Sequence, residues 1–137
     1  MNRLFKLRMI VMPVIVMITG FTFYSCTYEK AELKIDCVLP DTASFSKNIQ
    51  PIFNTYCNGS GCHNSASHSG SLNLEPSVAY SQLFAHGTGY IDTLNPQFSL
   101  LYSKLTSASG VMPPSGKLDV CKTNLVLEWI KQKARNN

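Results

Sequence analysis

Two thiols and an imidazole fall within one short stretch, Cys57-Asn58-Gly59-Ser60-Gly61-Cys62-His63. Three chemistries suit such a cluster. In an oxidising compartment Cys57 and Cys62 could close a disulfide, which would leave His63 without a task. Zinc could be taken by Cys57, Cys62, His63 and His68. Adjacent Cys62 and His63 would then have to reach the same tetrahedral ion, against the spaced ligand pairs that zinc sites use. In the third chemistry, each thiol adds across a vinyl group of a metal-bearing macrocycle as a thioether. A histidine directly after the second thiol then brings its ring to the metal.

The third chemistry uses all three side chains, and the segment resembles a c-type haem attachment site. The common motif separates its cysteines by two residues; here four intervene, a C-x4-C-H variant. Gly59, Ser60 and Gly61 offer a way round the extra length, because a loop with two glycines can bulge outward while the sulfurs keep their spacing. A sixth ligand to the iron is then needed. Of the five methionines, Met1, Met9, Met12 and Met17 all precede residue 20, which leaves Met112 alone in the rest of the chain. It lies 49 residues beyond His63, in Val111-Met112-Pro113-Pro114. The two prolines forbid helix and stiffen the backbone, as a loop must be stiff to hold a weak axial ligand at a fixed distance. His86 is the rival sixth ligand, in a bis-histidine site. Its setting, between a short helix and a Gly-rich turn, is that of a solvated loop histidine. His68 lies close after His63 and would stay on the proximal side.

These residues need elements to position them. The first stretch is a leader: a basic segment, MNRLFKLR, precedes 16 apolar residues from Met9 to Tyr24 that Pro13 and Gly20 interrupt. This is signal-peptide architecture, and the run is short of the roughly 20 residues that a membrane-spanning helix needs. Phe23-Tyr24-Ser25-Cys26 resembles a bacterial lipobox, with Cys26 as the residue that takes lipid and becomes the N-terminus. Phe23 and Tyr24 are bulkier than the usual residues there, so an ordinary signal peptide stays open. Residues 26–43 read as a polar tether and residues 44–137 as one domain.

Within that domain, apolar spacing predicts four short helices and no strand. The first is capped by Asn48 and carries Ile49, Ile52, Phe53 and Tyr56 on one face. Pro76 opens the second, with Ala79, Tyr80, Leu83 and Phe84. Asn95-Pro96 opens the third, with Phe98, Leu101, Tyr102 and Leu105. Asp119 caps the fourth, which carries Cys121, Leu125, Trp129 and Ile130 and ends in Lys131, Lys133 and Arg135.

Charge excludes one class of partner. Twelve basic residues face eight acidic ones, but Arg3, Lys6 and Arg8 belong to the leader, so the chain beyond residue 25 carries only +1. Nothing there attracts a phosphate backbone, and nucleic-acid binding is not expected.

Taken together, SFSKNIQPIFNTYCNGSGCH from Ser44, NPQFSLLYSKL from Asn95 and VMPPSGKLDVCKTNLVLEWIKQKA from Val111 resemble the class I cytochrome c-like domain, over almost all of residues 44–135. The resemblance implies a small all-α fold, about four short helices around one covalently attached haem. It implies that the helix before the attachment motif crosses the C-terminal helix, with Tyr56 and Trp129 at the crossing. It further implies haem attachment through Cys57 and Cys62, with His63 proximal and Met112 distal to the iron. Cys26 then takes lipid and two cysteines take haem, which leaves Cys37 and Cys121 either as a disulfide or as two buried thiols. The implied function is single-electron transfer by an exported lipoprotein. It would be anchored to a membrane facing the periplasm or the cell surface, with redox proteins as partners and no catalytic role. Two alternatives stay open: a haem-based enzyme or gas sensor with a displaceable distal ligand, and a haemless surface-binding lipoprotein.

Overall fold

The structure, a computed structural model, describes residues 37–85 and 87–137. The leader, Cys26, the first part of the tether and His86 lie outside the described residues. Among the described residues the chain forms four α-helices and no strand: α1 (Gln50–Tyr56), α2 (Ala79–Leu83), α3 (Leu100–Thr106) and α4 (Val120–Lys131). The fold is therefore all-α, as the spacing of apolar residues predicts. None of the described helices is long and apolar enough to cross a membrane.

The entry into α1 differs from the expectation of a cap at Asn48. The cap is Ser44, whose Oγ accepts the Lys47 N–H while Asn48 Oδ1 accepts the Ser44 N–H at 2.8 Å, so two otherwise orphaned donors are satisfied reciprocally. Between that cap and α1 runs a wide π turn, Phe45–Ile49. Pro51 accounts for it. Proline has no N–H to offer the carbonyl four residues back, and its ring crowds that oxygen, so the preceding turn opens to the i→i−5 register. Ile49 N–H accordingly bonds Ser44 O, and Gln50 N–H bonds Phe45 O.

Ile49 and Phe53, Ala79 and Leu83, Leu101 and Leu105, and Val126, Trp129 and Ile130 close one apolar core from the four helical regions. Trp129 is fully enclosed. Its ring lies 5.3 Å from that of Phe45, and its Nε1–H donates to Arg135 O at 2.9 Å, so burying the indole leaves no polar atom bare. Trp129 thus anchors α4 on the Phe45–Ile49 turn. Tyr56, expected beside it at the helix crossing, is 39% exposed instead. It is the last residue of α1, and Lys122 of α4 stands over its ring.

Two helical faces are narrower than their spacing suggests. Phe98 is 74% exposed and belongs to a separate 3-10 turn, Pro96–Phe98, because Ser99 is extended (φ −51°, ψ 130°) and breaks the helix before α3 begins. On α4 the buried positions are Thr123, Val126, Trp129 and Ile130, with Cys121 and Leu125 to one side. Asp119 caps that helix, its Oδ1 accepting the Lys122 N–H at 2.9 Å.

Residues 37–43, read from sequence as the end of a tether, are held against α4. Cys37 is joined to Cys121 by a disulfide. Gln132 bonds the same strap twice, accepting the Ala43 N–H at 2.9 Å and donating to Asp41 O at 3.1 Å. Ala43 itself is buried in the core.

Candidate functional site

The loop after α1 turns back on itself. Cys57 and Asn58 N–H both bond Phe53 O, Cys62 N–H bonds Gly59 O at 3.0 Å, and His63 N–H returns to Cys57 O at 3.0 Å. Four residues are therefore pinched out between two thiols whose backbones are tied at the base. Of the two glycines only Gly61, at φ +77°, uses the left-handed conformation that glycine adopts most readily. At Gly59 a Cβ would meet nothing nearer than Cys62 Sγ at 3.7 Å, an ordinary contact. Asn64 stitches the bulge from the far side, donating to Gly59 O at 2.8 Å and accepting the Ser67 N–H at 2.9 Å. Beyond it, Leu74 N–H bonds His63 O at 2.8 Å, so both ends of the His63 peptide are fixed.

The second loop is held by α3. Helix C-termini leave carbonyls without intrahelical partners, and one of them, Lys104 O, accepts the Met112 N–H at 2.8 Å. The Met112–Pro113 peptide is cis.

Between the two loops lies a cavity of about 400 Å³, within the range of small-molecule and cofactor sites. Cys57, Cys62, His63 and Met112 all line it. The rest of its wall is mainly apolar, with Leu72, Leu74, Leu100, Leu101, Leu105 and Pro113 prominent. Four of the residues singled out from sequence thus meet in one place. His68 does not line this cavity, and His86, the rival ligand, is outside the described residues.

Cys57 and Cys62 are both unbonded and half-buried. Burial, with a smaller contribution from charge on Cys62, pushes the Cys57 thiol up to about 11. That shift lowers the share of reactive thiolate at Cys57. Among the described residues no three His, Cys, Asp or Glu side chains are grouped to hold a metal ion. The zinc arrangement of Cys57, Cys62, His63 and His68 is therefore not formed.

The donor set suits haem. A flat apolar macrocycle needs an apolar slot, two thiols for its vinyl groups, and an imidazole with a second soft donor for iron. His63 Nδ1 is buried and has no hydrogen-bond partner among the described residues.

Several wall residues carry no signal in the sequence. Tyr90 lines the cavity from a loop held to the start of α3 by Leu100 N–H on Gly89 O and Leu101 N–H on Tyr90 O. Leu72 and Leu74 lie in the Ser/Asn/Gly-biased stretch that reads as plain loop, yet both are buried. At the rim, Lys122 Nζ stands 5.5 Å from the centre of the Tyr56 ring while pairing with Asp119.

Compared with protein-family models, curated proteins and solved structures, the chain matches none.

Proposed function

We propose that the protein is an exported electron carrier that holds one haem covalently, in the manner of class I cytochromes c. One observation carries the reading: a single apolar cavity receives two unbonded thiols, an imidazole and a thioether, from loops far apart in the chain. In this reading Cys57 and Cys62 would hold the haem, each thiol adding its sulfur to one vinyl carbon and its proton to the neighbouring carbon, so that no oxidant would be consumed. His63 and Met112 would hold the iron. With both donors on it, no place would stay open for a substrate, which favours electron transfer over catalysis. Bound there, the haem would supply a one-electron iron couple. The apolar lining would disfavour the more highly charged oxidised state. Thioether ligation pushes the same way, because a soft, weak donor favours reduced iron.

The Cys37–Cys121 disulfide supports folding in an oxidising compartment, in keeping with an export leader. Anchoring through lipid on Cys26 completes the proposal, with redox proteins as partners. Its lipid and its haem would both be visible in the mass of the mature chain.

Met112→Ala separates the electron carrier from the enzyme or gas-sensor alternative. The oxidised wild-type protein should show a weak far-red sulfur-to-iron band, and the reduced protein should resist carbon monoxide. In the variant the band should vanish, the potential fall and carbon monoxide bind, while the haem stays attached. Rapid carbon monoxide binding to the wild type would instead place the protein among haem sensors or enzymes.

A further inference from the structure

Among the described residues three buried side-chain polar atoms lack a hydrogen-bond partner: Gln50 Oε1, Asn58 Oδ1 and His63 Nδ1. All three belong to residues hydrogen-bonded to Leu74, two through their amide side chains and His63 through its backbone carbonyl. The Leu74 carbonyl accepts from Gln50 Nε2 at 2.9 Å and from Asn58 Nδ2 at 3.0 Å. Its N–H donates to His63 O at 2.8 Å, and His63 N–H donates to Cys57 O at 3.0 Å. The covalent step from Cys57 to Asn58 closes the ring.

The facing of the two amides is settled by that carbonyl. Turning either one would set an amide oxygen against the Leu74 oxygen, so both must present their NH₂ groups to it. Their own oxygens are left as acceptors, and no donor among the described residues reaches them. A buried polar atom left bare forfeits its hydration with nothing in return. Three on residues bonded to one neighbour match what an internal water satisfies, since such waters typically make about three bonds to otherwise unpaired groups. The valences also match. Two amide oxygens take the two protons of a water, and the lone pair of that water takes the proton of an imidazole nitrogen.

We propose that one internal water is bound at this point, donating to Gln50 Oε1 and Asn58 Oδ1 and accepting Nδ1–H of His63. Its consequence for iron rests on the haem reading. With the proton held on Nδ1, Nε2 keeps the lone pair that ligation requires, and the acceptor behind the ring makes that nitrogen more basic. Gln50 and Asn58 are then positioning residues, which act on the iron through His63. They hold its potential below the value an unsupported imidazole would give.

The test is made on the purified full-length protein, reduced and labelled with ¹⁵N-histidine. The long-range proton–nitrogen spectrum should show Nδ1 protonated and Nε2 bare, with slow exchange at Nδ1–H and a cross-peak from that proton to a long-lived water. Asn58→Leu should remove the water cross-peak, speed the exchange and raise the potential. Gln50→Met, closer in shape, should move all three in the same direction and serves if the first variant does not fold. Asn54→Ala is the structural control. Asn54 Oδ1 accepts from Gln50 Nε2 at 2.9 Å and Asn58 Nδ2 at 3.3 Å, so its loss loosens both amides but leaves their oxygens in place. This variant should keep the cross-peak and the potential. A bare Nδ1, a protonated Nδ1 without the water cross-peak, or a potential unmoved by either oxygen-removing variant would overturn the proposal. Protein isolated without haem would end the electron-carrier reading alone, because tautomer and water contact are read in the same spectrum.

Discussion

Removing the bond between Cys37 and Cys121 should cost the fold about 4.5 kcal/mol. The bond joins residues 84 apart in sequence. In the chain-entropy treatment, a closed loop of about 85 residues deprives the unfolded chain of roughly 15 cal/mol/K, which gives that figure at 25 °C. A domain of this size is stable by only about 5–15 kcal/mol in total, so the loss is a large share. At about 4–8 °C per kcal/mol, the midpoint of thermal unfolding should fall by roughly 18 °C or more. Urea unfolding of a Cys37→Ser, Cys121→Ser double variant, followed by circular dichroism beside the wild type, reads the difference. The two Gln132 bonds to the strap are retained, so the comparison isolates the cross-link from the contacts around it. A double variant within 1 kcal/mol of the wild type, with the same denaturant slope, would refute the reasoning. It would mean that the cross-link does not restrict the unfolded chain.

Two other outcomes follow from the local chemistry. In haem-free protein the Cys57 thiol, pushed up to about 11 against an ordinary 9.0, holds about one-hundredth of the usual thiolate at pH 8. Peptide mass spectrometry should therefore find its alkylation about 100-fold slower in the folded chain than in denaturant; equal rates would show that the sulfur is not buried. The Lys122 side chain and then its backbone N–H hold the Asp119 carboxylate below its usual range, so its stabilising effect is present above the unfolded value and is lost as pH falls through the folded one. Asp119→Ala should cost about 1 kcal/mol at neutral pH and nothing in strong acid, read by urea unfolding at both; a pH-independent cost would contradict the cap.

What was legible in the sequence was mostly local. Ile49 and Phe53 announce a helix by spacing, and Asp119 announces its cap because a carboxylate before an amphipathic run has few other uses. The cluster from Cys57 to His63 stands out because thiols and imidazole are rare and were adjacent. Met112 stood out because it was alone. What the spacing misplaced depended on backbone choices that single residues make. Pro51 widened the turn before it and moved the cap to Ser44. Ser99 took an extended conformation and cut Phe98 off from its apparent helix. The cavity wall was harder still to foresee. Leu72, Leu74 and Tyr90 sit in segments without helical period, and they line the cavity only because long-range bonds, such as Leu74 N–H to His63 O, fold those loops inward. No pattern within one segment can report such a pairing.

The central claim is that Cys57 and Cys62 hold a haem covalently, and the intact mass of the denatured protein tests it most directly. The protein would be produced alongside a haem-attachment system, taken from the membrane fraction, unfolded in acid and extracted with acetone before weighing. The account predicts a chain that begins at Cys26 with its lipid and still carries the mass of one haem, and loss of that haem when Cys57 and Cys62 are both replaced by Ala. A wild-type chain that weighs no more than its amino acids and lipid, with any haem left in the solvent, would contradict it.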